Sequence, residues 1–439
     1  METLQNIALY CFLFVGLYFQ VFILVVYTVN RRKIRDDRAK AEREPALYPS
    51  VTIIVPCYNE AKTVGKTVES LAALKYPAGK LRIVAVDDGS RDNTWSVLQN
   101  LQSRYAMLEI HRKENGGKYT ALNYAIEHAS TDIVGCLDAD SLVASDALKK
   151  MVPFFGDLSA PLGTPGAMVA AVTPGMKIYK PKTLIQVLQY TEYLVGMLVK
   201  KVQACIGAIY VTPGPFSLFR RDLFAKIGYF QHAHNTEDME LAFRIQASHL
   251  HIENVHDAIV YTAGPATIAK LYRQRVRWTS GFLLNVRDYR HMLLNPRYGN
   301  LALFTVPIGV AMIIGVVSSV AFIIYRFILS LWHFSVQMRV VGWQAPHFAW
   351  NWFFVSTQAH FLLIAVVYFL MIGMIIEARI LAGEKTLFGR STVLYFILFP
   401  LLSPWWIIKS VYNAAISHAP SWQKERAVVT VKNSNSPSL

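Results

Sequence analysis

The residues able to do chemistry in this sequence are acids, and they come in pairs at the ends of apolar runs. Ala85-Val86-Asp87-Asp88-Gly89-Ser90 is one such run. Gly135-Cys136-Leu137-Asp138-Ala139-Asp140 echoes it about fifty residues on. A buried parallel strand reads as a continuous apolar run. Carboxylates at its C-terminal end lie in the crevice where open α/β sheets bind ligands. Two such ends, brought together, suit a divalent cation and a phosphorylated substrate. Alternate residues in extended chain face the same way, so Asp138 and Asp140 can serve one hard, oxygen-preferring ion such as Mg2+ or Mn2+. A solvated turn after a strand would use the same residues, so the triplet alone decides nothing.

Three further groups invite a functional and a plain reading. Asp88 could meet the base or ribose of a nucleotide, or simply stabilise a turn before Gly89. Lys118 follows two glycines at a helix start, a good position for a phosphate contact and equally for an exposed lysine. Thr236-Glu237-Asp238 puts two acids in a helix's first turn, where the macrodipole alone would favour them; the functional reading makes Asp238 a general base for a hydroxyl. Gln274, Arg277 and Trp278 stand at i, i+3 and i+4 and share a helix face. Arg277 there could hold a diphosphate and Trp278 could offer a flat apolar platform. An interfacial helix with snorkelling arginines and a belt tryptophan would look the same. His232/His234 and His249/His251 lack companions at a recognisable metal spacing. The four cysteines are scattered without a CxxC pair, so neither zinc nor a disulfide framework is indicated.

The elements that must position these groups follow from the rest of the chain. Val51-Thr52-Ile53-Ile54-Val55 reads as a buried strand closed by Pro56, and 81–86, 107–111 and 132–137 as three more. Helices at 62–74, 91–104 and 118–129 separate them, a pattern that predicts a parallel, doubly wound sheet. No GxGxxG or GxxxxGK[ST] occurs, which leaves dinucleotide and P-loop readings without support. Further on, 168–172 is another strand, 183–202 is an apolar helix suited to the membrane surface, and 268–290 is an amphipathic basic helix. With 439 residues, 53% hydrophobic, 17% charged and a net charge of +15, the chain has the composition of a membrane protein. Residues 6–29 form an uncleaved anchor, and Arg31-Arg32-Lys33, Arg35 and Arg38 mark its cytoplasmic flank. Spans are expected at 301–324, 350–375 and 392–412, the last one broken by Pro400 and Pro404. The basic loop 377–390 should be cytoplasmic. The domain plan is thus an anchor (1–30), a basic linker (31–50), a cytosolic α/β domain (51–265), an interfacial helix (266–300), about three spans (301–412) and a polar tail (413–439), disordered from about 432. The positive charge suits anionic lipid, and no nucleic-acid signature appears.

Asp87-Asp88-Gly89, Asp138-Ala139-Asp140, Thr236-Glu237-Asp238 and Gln274-Arg275-Val276-Arg277-Trp278 occur here in the order and spacing of the processive family-two glycosyltransferases. The chain resembles these membrane synthases of cellulose, chitin, hyaluronan and poly-N-acetylglucosamine from about 51 to 290. The resemblance implies a GT-A fold, a doubly wound mixed sheet inserted between transmembrane helices. It implies a UDP-sugar donor, a growing β-linked polysaccharide as acceptor, inversion at the anomeric carbon, and Mg2+ or Mn2+ on Asp138 and Asp140. It makes Asp238 the base with Glu237 beside it. Tyr58, Glu60, Asp88, Lys118, Asp138, Gln274 and Arg277 would meet the nucleotide. Trp278 and Gly214-Pro215-Phe216-Ser217 would meet the acceptor. Asn115-Gly116-Gly117-Lys118 with a single N-terminal span looks most like the poly-N-acetylglucosamine and chitin-oligosaccharide synthases, hence UDP-N-acetylglucosamine and a multi-pass place in the inner membrane. Four spans are few for a polymer channel; a homodimer or a small membrane accessory subunit could supply the rest. The rivals are a hyaluronan- or cellulose-synthase-like enzyme, a non-processive transferase acting on a lipid or protein, and a nucleotide-binding transporter or scaffold. Against the last, the spans carry few charges, whereas ion pathways usually carry them.

Overall fold

The computed structural model describes residues 2–342 and 359–416; the start of the span expected at 350 and the tail beyond 416 lie outside the described residues. Helix α1 (Glu2–Val29) passes through Asn30 into α2 (Arg31–Glu42). A regular alternation follows: β1 (Val51–Cys57), α3 (Val64–Ala72), β2 (Leu81–Asp88), α4 (Thr94–Gln102), β3 (Leu108–Lys113), α5 (Lys118–Glu127) and β4 (Ile133–Cys136). The second half is less regular: β5 (Leu142–Val143), α6 (Ala147–Met151), β6 (Val169–Ile178), α7 (Leu184–Cys205), β7 (Ser217–Arg220), α8 (Arg221–Ile227), α9 (Glu237–Ala247), β8 (His251–Thr262) and α10 (Ile268–Asp288). A π-helical turn (Leu301–Thr305) leads into α11 (Val306–Val341), then α12 (Ala359–Leu381) and α13 (Arg390–Ala415).

The strands order β3-β2-β1-β4-β7-β6-β8-β5 in one sheet. Its first four strands are parallel. β7 runs antiparallel to both β4 and β6, which makes the sheet mixed, as the family resemblance implied. The apolar runs are explained by burial on both faces. Ile53 and Val55 of β1 pack with Val64, Val68 and Leu71 of α3, while Ile54 packs with Leu122, Ala125 and Ile126 of α5. Period-two side-chain alternation thus feeds two cores. Strand β6 is twice as long as read from sequence, because it pairs along β8 through a register shift at Pro174/Gly175. A Cβ on Gly175 would stand 2.2 Å from the His256 carbonyl oxygen, so only glycine admits that approach.

Four helices are long and apolar enough to cross a membrane, at 10–29, 301–341, 361–381 and 390–415. Three sequence expectations change here. The span expected at 301–324 continues to Val341, since no proline or glycine interrupts it between Gly315 and Gly342, where φ is +74°. At ~1.5 Å per residue its 41 residues run about 60 Å, twice a hydrocarbon core. Helix α13 is continuous through Pro400 and Pro404, as prolines in membrane helices often are. Residues 31–42, read as linker, are helical because α2 is clamped. Ile34 and Ala41 are buried on one stripe, Arg38 pairs with Asp257 at 3.0 Å, and Asp37 pairs with Lys201.

Helix α7 is the fourth revision. It does not lie on a free membrane surface; it is sandwiched between the sheet and the membrane helices. Leu194, Leu198 and Val202 pack with Ile23 and Tyr27 of α1 and Met374 and Ala378 of α12. Thr183 and Gln186 close a capping box at its start. Lys201 is only 1% exposed and gives its ammonium to Asp37 at 2.7 Å and to the Asn254 carbonyl at 3.1 Å. This pair ties α2, α7 and β8 together. Asp37→Ala would leave a buried ammonium without its partner, at a cost of about 3–5 kcal/mol. Its thermal unfolding midpoint, followed by tryptophan fluorescence, should fall, and adding Lys201→Met should recover most of the loss.

Candidate active site

The sheet's C-terminal edge delivers Asp88 from β2 and Asp138 just past β4. Helix α5 begins with Lys118, whose ammonium lies 2.6 Å from Asp138 Oδ1 and 3.6 Å from Glu237 Oε1. Burial works against that charge, but the Asp138 and Glu237 carboxylates outweigh it and hold the lysine well above its ordinary value. Glu237 and Asp238 open α9. Acids read from two separate stretches, 138–140 and 236–238, therefore meet around one lysine. Gly214 closes this cluster from the side: a Cβ there would be 2.6 Å from Lys118 Nζ and 2.9 Å from the Asp138 oxygens.

Two of the acids are poised to exchange protons near neutrality. Burial, then the charge of Glu237, pushes Asp238 up to about 6, with Lys118 and Arg277 pulling the other way. Burial, then Asp138 and Glu60, pushes Asp140 up to about 6. Glu60 is itself raised, by burial first and then by Asp138 and Asp92, against its hydrogen bond from Thr63. Tyr58, at the end of β1, is half-buried. Among the described residues no three His, Cys, Asp or Glu side chains form a metal-holding group. Asp138 and Asp140 are nonetheless the oxygen donors a hard cation takes, and Mg2+ is commonly held by one or two carboxylates completed by substrate phosphates.

Helix α10 roofs the cluster. Arg277 donates through Nη1 to the Asn235 carbonyl at 2.6 Å, immediately before Thr236-Glu237-Asp238. A Cβ on Gly281 would sit 2.3 Å from Thr236 Cγ2, and Asn285 Nδ2 donates to Thr236 Oγ1 at 3.1 Å. The acidic turn is thus pressed onto the helix that carries Gln274, Arg277 and Trp278. Arg275 was read only as part of a basic face, yet it is buried and pairs with Glu192 of α7 at 2.8 Å. Its guanidinium stands 4.3 Å from the Trp278 ring centroid and orients it. Gly281, Asn285, Arg275 and Glu192 escaped the sequence reading. Their only signal was position: Gly281 and Asn285 follow Arg277 by one and two helical turns.

Other expected site residues serve differently. Phe216 is fully buried in the core at φ +63° and Pro215 is buried beside it. Ser217 is also fully buried and donates to the Pro213 carbonyl at 2.6 Å. Of that expected acceptor segment, Gly214 alone borders the acidic cluster, because β7 draws the rest into the sheet. His234 pairs with Asp288, and His249 stacks on Tyr298. Asp88 is buried, and its carboxylate is spent inside the protein. It meets the Lys113 ammonium at 2.7 Å and accepts from the Gly116 and Gly117 amides at 3.1 and 2.9 Å. Its direct product is the turn that aims Lys118. Gly89, at φ +73°, lets that turn approach: a Cβ would be 2.9 Å from the Asn115 nitrogen.

The glycosyl transferase family 2 model matches residues 52–228. Over 274 residues the chain is 30% identical to a poly-beta-1,6-N-acetyl-D-glucosamine synthase of Staphylococcus aureus, covering 60% of this chain and 64% of that protein. The synthase of the same name from Staphylococcus epidermidis is 28% identical over 279 residues, 63% of this chain and 65% of that one. The chain thus spans a little under two thirds of these relatives. A solved mannosyltransferase from Pyrobaculum calidifontis, in complex with GDP-Man and Mn2+, shares the fold with TM-score 0.57 at 18% identity, covering 92% of this chain and 99% of its own.

Asp88→Ala frees both glycine amides and takes from Lys113 its one carboxylate, leaving it the Glu114 carbonyl and the Thr120 hydroxyl. Charge-assisted bonds of this kind are worth about 1.5–3 kcal/mol each. Hydrogen exchange across 113–121 should therefore accelerate about tenfold or more, read by mass spectrometry. Unchanged protection would show that the turn is held without the carboxylate.

Proposed function

We propose, from the premise that residues 52–228 are a glycosyltransferase family 2 domain, that the chain is a membrane-embedded, inverting, processive glycosyltransferase. Its donor is a UDP-sugar, UDP-N-acetylglucosamine by the product named for its relatives, and its product is a β-linked polysaccharide. The observation that carries this reading is the meeting of Lys118, Asp138, Glu237 and Asp238 in one half-buried cluster with Arg277 acting on Asp238. A buried carboxylate beside fixed cations is what transfer from a nucleotide diphosphate to a hydroxyl requires.

Lys118 and Arg277 hold the diphosphate and stabilise charge as it leaves. The acceptor hydroxyl oxygen attacks the anomeric carbon from the face opposite the diphosphate. The bond to the diphosphate oxygen breaks, UDP departs with that electron pair, and the hydroxyl proton passes to Asp238. Glu237 keeps Lys118 in place and raises Asp238. Trp278, fixed by Arg275, gives the acceptor ring an apolar face. A divalent cation held by Asp138 and Asp140 would offset the diphosphate charge, as the fold neighbour's Mn2+ complex suggests by analogy. Positive residues at 31–38 and 385–390 support a catalytic domain on the cytoplasmic side of the membrane.

Purified protein given a panel of UDP-sugars with Mn2+ or Mg2+ should release UDP and build polymer from one of them, and EDTA should stop both. No UDP from any donor would sink the reading. Asp238→Asn should lower kcat by about 10²–10⁴-fold. In the wild type, kcat/KM should fall as pH drops through about 6, since that is where the raised Asp238 carboxyl gains its proton and ceases to be a base. A flat profile from pH 5 to 8 would remove Asp238 from that role.

A further inference from the structure

Helix α13 has the length and composition of a span, but its faces and its ends are not those of a helix that crosses. Thr392, Tyr395, Trp406, Ser410 and Asn413 are buried on one face. Val393, Ile397, Leu401, Trp405, Ile408 and Tyr412 are exposed on the other, at the three- and four-residue steps of a helix stripe. Polar groups therefore face protein and apolar ones face out, the reverse of a helix in water. The inner face packs along α7 and α10. Tyr395 shares a cluster with Leu188 of α7, and Ser410 donates to the Val276 carbonyl of α10 at 3.3 Å.

Both ends of α13 are held from the side on which the sheet lies. The loop entering it is fastened to β6, where Lys177 donates to the Ala382 carbonyl at 2.7 Å and pairs with Glu384 at 2.8 Å. Arg379, at the end of α12, then donates to Ser391 Oγ at 2.6 Å. Ser410 lies roughly 30 Å further along the helix, at ~1.5 Å per residue. A helix crossing the bilayer would by then have reached the opposite surface, since that length equals a hydrocarbon core. Its partner there, Val276, is not on that surface. Val276 adjoins Arg277, which bonds the Asn235 carbonyl beside the acidic turn. The same helix carries Lys270, Arg273, Arg275 and Arg287, charges that a hydrocarbon core excludes. Two spans joined by a short loop also pack side by side as antiparallel neighbours, whereas α13 follows α10 and α7 more closely than α12.

We propose that α13 does not cross the membrane: it lies within the leaflet on the sheet side, its inner face backing α10 and its outer stripe set among lipid acyl chains. Lipid is the occupant because the stripe joins a surface that already meets it. Tyr368, on the exposed side of α12, stands 5.8 Å from the Phe396 ring, so the two lipid-facing surfaces run together. Lys409 is exposed beside the stripe, its ammonium 4.6 Å from the Tyr412 ring centroid, and Trp405 lies one turn away. A lysine with aromatic rings is the composition of a headgroup boundary. The chain then leaves α13 on the side where it entered. That keeps Lys424, Arg426 and Lys432 on the same side as Arg31, Arg32 and Lys33, as charge bias favours. The inference needs only the membrane placement and holds for any reaction at the acidic cluster.

The test uses the full chain in sealed membrane vesicles of both orientations, with Cys11 and Cys205 replaced by alanine; the other two thiols are buried. One cysteine is then introduced at a time. Ala415→Cys and Ile416→Cys report the exposed end of α13, Arg35→Cys the sheet side, and Val340→Cys the far end of α11. A membrane-impermeant maleimide should label Ala415→Cys and Ile416→Cys in the same vesicles as Arg35→Cys. Labelling in the same vesicles as Val340→Cys would overturn the proposal. Spin labels on Ile397→Cys, Leu401→Cys and Ile408→Cys should collide with oxygen more often than with a water-soluble nickel chelate, and all three should sit in one leaflet. A chelate preference would place the stripe in water and overturn the lipid contact. A Leu401→Cys label at the bilayer midplane, with the other two on either side of it, would restore a span and overturn the proposal. Dipolar broadening between labels on separate chains would put a second copy on the stripe and overturn lipid as its occupant.

Discussion

Crowded negative charge is the constraint from which the rest of this site follows. Glu60, Asp140 and Asp238 are each held above their ordinary values, by burial first and then by neighbouring carboxylates, those of Asp138 and Glu237 among them. Lys118 is the paired cation at the centre, bonded to Asp138 and near Glu237, and Arg277 reaches the edge. The remaining imbalance shows in Asp140 and Asp238, both pushed up to about 6. The arrangement has two consequences. One acid can accept a proton at physiological pH, because its ionised form is only modestly favoured. Another pair can welcome a cation, because bringing positive charge relieves repulsion already present. The same electrostatic strain serves both ends of a transfer reaction.

That strain has to be held mechanically, and helices outside the sheet do so. The acidic turn at 236–238 does not stand free at the end of its own helix. Thr236 is pressed against Gly281 and bonded to Asn285 of α10, and Arg277 grips the backbone at Asn235. Helix α10 in turn rests on α13, where Ser410 donates to the Val276 carbonyl, and on α7 through Glu192–Arg275. Helix α7 is wedged against α1 and α12. A chain of contacts therefore runs from the membrane helices to the acidic turn that carries Asp238. A fragment ending at residue 265 would keep the sheet and lose the roof, and with it the surface that fixes the 236–238 turn.

What could be read from the sequence divides along the same line. Strands β1 to β4 were legible because burial on both faces forces continuous apolar runs, and the acids ending β2 and β4 were legible because paired carboxylates rarely close such runs without cause. The acidic turn and the face of Gln274, Arg277 and Trp278 were visible as spacing. Their mutual contact was not, since it depends on Gly281, whose meaning lies in a close approach no local pattern encodes. Helix α2 looked like a charged linker because its partners, Lys201 and Asp257, are more than 160 residues away. Phe216 and Ser217 looked like site residues from their neighbours in sequence, yet Ser217 pairs with Cys136 in the sheet and Phe216, just before the strand, packs into the core. Asp88 shows the subtler case: the right residue was picked, but its carboxylate works on the turn bearing Lys118.

Polar groups left without protein partners trace where ligand should go. Most buried polar atoms in a native fold are bonded, and exceptions need a cause. Several demanding groups are met within the protein: Lys201 by Asp37, the Asn254 amide nitrogen by Thr173, Gln246 by the Ile209 carbonyl. Unbonded buried atoms are scattered through the described fold, Asp87 Oδ2 and Asn254 Oδ1 among them, and some lie under the α10 roof. Gln274 Oε1 is buried without a hydrogen-bond partner among the described residues. Asp140 takes one bond, from Ser141, while repelled by two acids. A fold selected for stability alone would have paired or replaced them. Gln274 and Asp140 stand on elements that border the acidic cluster, so these are the groups that a ligand entering there would meet.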